Sequence, residues 1–203
     1  MAISAQDRDR ISNAIRAAEA GTSGEIVCVL ARTSSHVTAL PILLAAVAAL
    51  VLPWMLVLFT AMPIYRILSL QIIVFVVLMV ILCLPRIRVA LMPQRARRTI
   101  AHRVAMEQFT IRDLARKKER SSILIFVSLA ERYVRIIADD GIAARVPQSH
   151  WQAAIDALVA HMRDGRIADG FVTAIDLCGN ELAQHFPRAK ASRDQLPDRI
   201  YLI

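Results

Sequence analysis

Apolar and polar positions follow one another in this chain in distinct rhythms, and each rhythm predicts a different element. From Ser4, a suitable N-cap, Ile11, Ile15 and Ala18 recur at helical spacing up to Gly21, which predicts an opening amphipathic helix. Glu25-Ile-Val-Cys-Val-Leu30 is a short continuous apolar run after a Thr-Ser-Gly turn, the pattern of a buried strand. Ile123 to Leu129 is a second such run, apolar throughout and expected at the centre of a sheet. Tyr133 to Ala138 alternates more and predicts a less buried partner strand, joined through Ala130-Glu131-Arg132, a hairpin-length connection. Asp139-Asp140-Gly141 then supplies a turn. Ser149 with Gln152 has capping-box spacing for a helix reaching Asp164, with Gly165 as its stop. Asp169 is placed to cap a last helix whose Phe171, Ile175, Cys178, Leu182 and Phe186 form one face, ended by Pro187. Arg188 to Ile203 is a polar tail whose short apolar end suits an edge strand.

Between the first strand and the central one these rhythms vanish. Thr38 to Thr60 is 23 residues without a charge, and Ile67 to Leu84 is another 18. As helices they would be roughly 34 and 27 Å long, against a hydrocarbon core of about 30 Å. Pro41 falls in a first turn, where its missing N–H costs little. Pro53 is interior and should kink its helix, which neighbouring helices tolerate in lipid. The prediction is a transmembrane helix over residues 38–60, a short extracytoplasmic turn over 61–66 and a second helix over 67–85 closed by Pro85. A buried pair in a soluble core would carry a polar stripe, which these segments lack. Residues 1–37 and 86–203 then form one discontinuous domain of about 155 residues, enough for a single core. Helix, strand, long crossover, strand pair, helix, helix predicts an α/β fold, a layered sheet covered by helices and interrupted by the hairpin.

Charge sharpens this picture. The chain of 203 residues is 56% apolar yet carries a net +8. The excess is confined to residues 86–120, with eleven Lys/Arg against three Asp/Glu. A uniformly basic nucleic-acid binder is excluded, and no specific nucleic-acid partner is expected. The connecting turn offers only Arg66, whereas Arg86, Arg88, Arg95, Arg97 and Arg98 follow the second span. The excess of basic residues on that side predicts that both flanks, and so both termini, are cytoplasmic. The same arginines can contact anionic lipid headgroups, at about 1 kcal/mol each near the surface. The charged stretch Ser4 to Ala20 is not a signal peptide. Cys28, Cys83 and Cys178 are scattered and odd in number, which fits a reducing compartment and offers no metal spacing.

The common chemical signatures are missing. There is no GxxxxGK[ST] phosphate loop and no GxGxxG. Six positions after the cysteines stand Ser34, Val89 and Gln184, not the arginine of a cysteine-dependent phosphatase. His36, His102, His150, His161 and His185 form no HExxH. Acids are the better constellation. Asp139 and Asp140 follow directly from a strand, at a carboxyl end of the kind where ligands gather in open α/β sheets. Glu25 opens its strand and fits that rule less well. Adjacent carboxylates suit a hard cation, Ca²⁺ or Mg²⁺; the alternative is a plain turn in which one Asp bonds its own backbone. Glu131 and Arg132 read as hairpin-turn residues, the alternative being an anion contact.

In order along the chain, several segments resemble the TPM-domain family: Thr22-Ser23-Gly24-Glu25-Ile26 after the first helix, Phe109, Leu124-Ile-Phe-Val-Ser-Leu-Ala-Glu-Arg132, Ile137-Ala-Asp-Asp-Gly-Ile142, Trp151, Phe186-Pro187 and Leu196-Pro197-Asp198. The likeness is to the bacterial membrane subgroup, in which a transmembrane hairpin interrupts the domain. It implies an α/β/α sandwich and residence in the bacterial inner membrane. Plant thylakoid members are described as acid phosphatases linked to photosystem repair, an animal member assists a membrane receptor, and some members bind calcium through acids at strand ends. Carried over, the metal-binding positions are Glu25, Asp139, Asp140 and Asp169. Arg120-Ser121-Ser122 and Asp194-Gln195-Leu196 depart from the family pattern, losing a Thr, a Gly and an acid. The expected function is a membrane-anchored module that assists assembly, turnover or regulation of another membrane protein, its partners being that protein and the lipid bilayer, with a structural divalent cation. The alternative is a metal-dependent phosphatase acting on phosphomonoesters through the same carboxylates.

Overall fold

The computed structural model describes residues 3–33, 39–60, 63–84, 87, 93–111, 121–188 and 199–203. It divides into two compact units, residues 1–34 with 100–203, and residues 35–99. In the first, two continuous apolar runs become the inner strands of a sheet: β1 (Glu25–Ala31) and β2 (Ser122–Ser128), with all seven residues of each buried. They pair in parallel, with Glu25 opposite Ser122 and Ala31 opposite Ser128. The more alternating run forms β3 (Tyr133–Ala138), antiparallel to β2. The apolar end of the tail forms the edge strand β4 (Ile200–Leu202), parallel to β1, so the order is β3-β2-β1-β4.

Side chains of a strand alternate between the two faces, and this separates two cores. Ile26, Cys28 and Leu30 of β1 join Ile123, Ile125 and Val127 of β2 on one face. There they meet Ile11 and Ile15 of α1 (Ala5–Glu19), Leu158 of α6 (Gln152–Arg163), and Phe171, Ile175, Cys178 and Leu182 of α7 (Ile167–His185). Val27, Val29 and Ala31 with Leu124 and Phe126 face the other way, against Ala105 and Phe109 of α4 (Gln94–Ile111). Helices on both faces of the sheet make the α/β/α sandwich expected. The end of the basic stretch, residues 112–120, lies outside the described residues.

The helix ends follow local chemistry, with two corrections. Ser4 caps α1 in a full capping box: its Oγ accepts from the Asp7 N–H at 3.0 Å, and the Asp7 carboxylate accepts from the Ser4 N–H at 3.3 Å. Between α6 and α7 the Gly165 N–H donates to Met162 O and the Arg166 N–H to His161 O, a Schellman closure. It requires the left-handed φ of 77° that Gly165 supplies without strain. The capping box expected of Ser149 does not form. Pro147, with φ −60°, instead starts a 3₁₀ turn over Gln148–Trp151, and α6 begins after the buried Trp151. Asp169 is not a cap either; the N-cap of α7 is Arg166, without a side-chain bond, and Asp169 lies in the first turn.

The second unit contains α2 (Ala39–Phe59), with Pro53 inside it, and α3 (Ile64–Cys83). They pack together, burying Ala45, Ala49 and Ile67. α3 begins at Ile64 after Pro63, so Arg66 lies in its first turn and not in the connection. Both helices are long and apolar enough to cross a membrane, with only 11% and 6% of their apolar windows buried.

Small residues set how closely the helices of the first unit approach. A Cβ on Gly179 of α7 would lie 2.7 Å from the Ala18 Cβ of α1, well inside contact distance. Gly179→Ala is therefore expected to force α1 and α7 apart and to destabilise the protein by about 1–3 kcal/mol, read as a lowered thermal midpoint. An unchanged midpoint would show that the two helices do not pack this closely.

Candidate functional site

The strand register assembles the site. β1 and β2 start side by side, and the antiparallel β3 ends at the same place. The Glu25 N–H donates to Ser121 O at 2.9 Å, and the Asp139 N–H donates to Ser122 O at 2.9 Å. Glu25 is the cross-strand partner of Ser122, and Asp139 follows Ala138, the partner of Ile123. Glu25, Ser122 and Asp139 consequently form one row across three strands. By alternation that row lies on the face carrying Val27, Leu124 and Ile137, the face covered by α4. Glu25 was expected to fit poorly because it starts its strand. The reversal of β3 removes that difficulty, since a carboxyl end and two amino ends meet here.

The chain is tied into this position from several sides. The Thr22 hydroxyl donates to Phe186 O at 2.6 Å and accepts from the Gly24 N–H at 3.0 Å. The Ser23 N–H also donates to Phe186 O, at 3.0 Å. A Cβ on Gly24 would press on the Leu182 methyls at 3.1 Å, so this glycine lets β1 enter tightly under α7. Across the sheet end, Asp139 is the N-cap of a single-turn helix, α5 (Asp140–Ala143), and its Oδ1 accepts from the Asp140 N–H at 2.7 Å. The turn-forming role and the strand-end position thus coincide in one residue.

Burial makes the row chemically unusual. Asp139 keeps 3% of its surface exposed, Glu25 9% and Ser122 none. Among the described residues, Asp139 Oδ2 and Ser122 Oγ, neighbours across the β2–β3 pairing, are buried without a hydrogen-bond partner. Leaving a buried polar group unpaired costs about 1–3 kcal/mol, so a further partner at these two oxygens would be stabilising. An all-oxygen donor set of carboxylate and hydroxyl fits a hard cation such as Ca²⁺ or Mg²⁺.

The remaining acids are placed differently. Asp140 is exposed in the first turn of α5. Asp169 lies 13 residues along α7 from Leu182, the residue against Gly24, which puts it about 20 Å from Leu182 at helical rise. It accepts from Arg10 Nη2 at 2.7 Å, and that bond holds its carboxyl below the usual carboxylate range. Asp169 thereby links α1 to α7 and does not join the strand-end group. Glu131, read as a turn residue, is buried at the opposite end of the sheet. Its carboxylate accepts from the Ser128 hydroxyl and from Thr33 Oγ1, the latter at 3.1 Å. Arg132 beside it takes a left-handed φ of 51°. Among the basic residues, Arg95 and Arg98 are exposed on α4 and Arg97 is half-buried, while Arg86 and Arg88 lie outside the described residues.

Two features escaped the sequence reading. Ser122 was noticed only as a departure from a family pattern. His150 and His185 were noted only as forming no HExxH and Glu181 was not singled out, yet the ligand atoms of the three lie within 4.8 Å of one another; Glu25, Asp139 and Asp140 do not converge so tightly. The spacing of Glu181 and His185, four apart on one helix, was the available signal. Cys28 and Cys178 are unreactive by position: burial pushes the Cys28 thiol well up, and the Cys178 thiol up to about 12.

Comparison with known proteins agrees with this architecture. Residues 84–181 match the family model of the TPM domain. The NMR structure of the BA42 protein from the psychrophilic bacterium Bizionia argentinensis is similar in fold, with a TM-score of 0.64 at 21% identity, over 100% of this chain and 96% of that one. No curated protein matches the chain.

Proposed function

The chain carries a TPM domain over residues 84–181, and from that premise we propose that it is a membrane-anchored TPM module that assists the assembly, turnover or regulation of another membrane protein and holds a structural divalent cation at the end of its sheet. The observation that carries the cation is the buried row of Glu25, Ser122 and Asp139, in which Asp139 Oδ2 and Ser122 Oγ have no hydrogen-bond partner among the described residues. Ca²⁺ or Mg²⁺ held there would tie together the starts of β1 and β2 and the end of β3, and with them the loop that leads into α5.

Anchoring is supported by α2 and α3. Leu50, Trp54, Leu58, Ile72 and Val80 lie exposed along them, an apolar surface suited to lipid chains or to the helices of another membrane protein. Arg95 and Arg98, at the start of α4, add exposed positive charge suited to anionic headgroups. With Arg86, Arg88 and Arg97 they give the basic bias that sets both termini on the cytoplasmic side of a bacterial inner membrane.

A phosphatase would use the same acids, since a metal held by carboxylates supplies charge compensation to a phosphoryl group. The burial of the row argues for the structural reading. Ser122 and Asp139 are almost closed to solvent, so a substrate phosphate has little access to the atoms that would hold its metal.

Two experiments test these readings. A reporter active only outside the cytoplasm should stay silent when fused after Ile203 and be active when inserted near Met62; the opposite pattern would overturn the orientation. Detergent-purified protein given a phosphomonoester with Ca²⁺ or Mg²⁺ should release no phosphate above the level of Asp139→Asn. Metal-dependent release that the variant loses would replace the structural reading with the catalytic one.

A further inference from the structure

A second constellation lies away from the strand-end row and has different chemistry. His150 sits in the 3₁₀ turn Gln148–Trp151, and Glu181 and His185 lie four apart on α7. That spacing places the latter two side chains on one helix face. The ligand atoms of all three lie within 4.8 Å of one another. We propose that His150, Glu181 and His185 form a binding site for a divalent transition-metal ion of the zinc class.

The geometry is close to what such an ion needs. Bonds of about 2.0–2.1 Å in a tetrahedral shell put neighbouring ligand atoms roughly 3.3 Å apart. His150 Nδ1 already stands 3.1 Å from Glu181 Oε2. The His150 and His185 rings meet edge to face, with centroids 6.3 Å apart and planes at 71°. The third donor, on His185, lies within 4.8 Å of both, a gap on the scale of a side-chain rotation.

The backbone under these donors is fixed. Trp151, next to His150, is 1% exposed and anchored in the core. Gln148, two residues before His150, donates from Nε2 to Ile136 O at 3.2 Å. On the other side, α7 is held by the buried face that includes Cys178 and Leu182. The donors themselves are exposed or half-buried, so an ion reaches them without unfolding. His185 lies in the last turn of α7, where the helix dipole favours positive charge.

The donor set gives the class of ion. Two imidazoles and one carboxylate favour zinc, nickel or copper over the hard cations that suit the all-oxygen row around Asp139. Three protein ligands leave a fourth tetrahedral position for water. A bound ion would clamp the 3₁₀ turn to the end of α7.

The test uses full-length protein purified in detergent without a histidine tag, stripped with chelator and equilibrated with Zn²⁺, the bound metal being measured after dialysis. The expected result is one equivalent of zinc for the wild type, lost in His150→Ala and His185→Ala, with affinity at least roughly 10-fold weaker in Glu181→Gln. Co²⁺ in place of Zn²⁺ should give the intense visible absorption of a four-coordinate site, and circular dichroism should show all variants folded. No zinc uptake by the wild type, or uptake undiminished in both histidine variants, would overturn the proposal. Loss of zinc in Asp139→Asn instead would assign the ion to the strand end and would overturn it equally.

Discussion

β2 is hydrogen-bonded in parallel to β1 and in antiparallel fashion to β3, and the rest of the first unit depends on that double pairing. It brings the starts of two strands and the end of a third to one place. It also sets which face each side chain takes, because a slip of one residue in either pairing would turn every side chain of that strand over. With the register as it stands, Ile26, Cys28 and Leu30 meet α1 and α7, while Val27, Val29 and Ala31 meet α4. Glu25, Ser122 and Asp139 close the second face as a row of polar groups at the sheet end. The close approach of α7 to β1 at Gly24 follows from the same arrangement.

The two ends of the sheet manage buried acid in contrasting ways. At one end Glu131 has both carboxylate oxygens engaged, by Ser128 and Thr33, and it closes the β2–β3 turn. At the other, Asp139 uses Oδ1 to start α5, and among the described residues its buried Oδ2 and the buried Ser122 hydroxyl have no hydrogen-bond partner. A saturated buried carboxylate stabilises a turn by itself. An unsaturated one costs about 1–3 kcal/mol that a further partner would recover, and for that reason the strand-end acids carry the functional reading and the hairpin acid does not.

Much of this was legible in the chain. The continuous apolar runs located β1 and β2, the alternation of Tyr133–Ala138 marked the less buried strand, and Gly165 marked the end of α6. Ser4 announced the α1 cap, and the charge-free segments located α2 and α3. What failed did so for physical reasons. Ser149 and Gln152 have the spacing of a capping box, but Pro147 and the burial of Trp151 favour a 3₁₀ turn there. Asp169 looks like a cap because its contact with Arg10 is 159 positions away in sequence. Glu25 starts its strand, and it shares a row with Asp139 only because one strand of the sheet runs back. The pairing of His150 with Glu181 depends on the packing of the 3₁₀ turn against α7, which local spacing does not encode.

The central claim is that the buried row around Asp139 is completed by a hard divalent cation. An ion that binds only the folded state stabilises it by mass action, by about 2.7 kcal/mol at a free concentration 100-fold above its Kd. The most direct measurement is the thermal midpoint of the full-length protein in detergent, recorded in chelator and then in excess Ca²⁺ or Mg²⁺, for the wild type and for Asp139→Asn. The account predicts a midpoint that rises with the cation in the wild type and does not move in the variant. A wild-type midpoint that is the same in chelator and in both cations would contradict it.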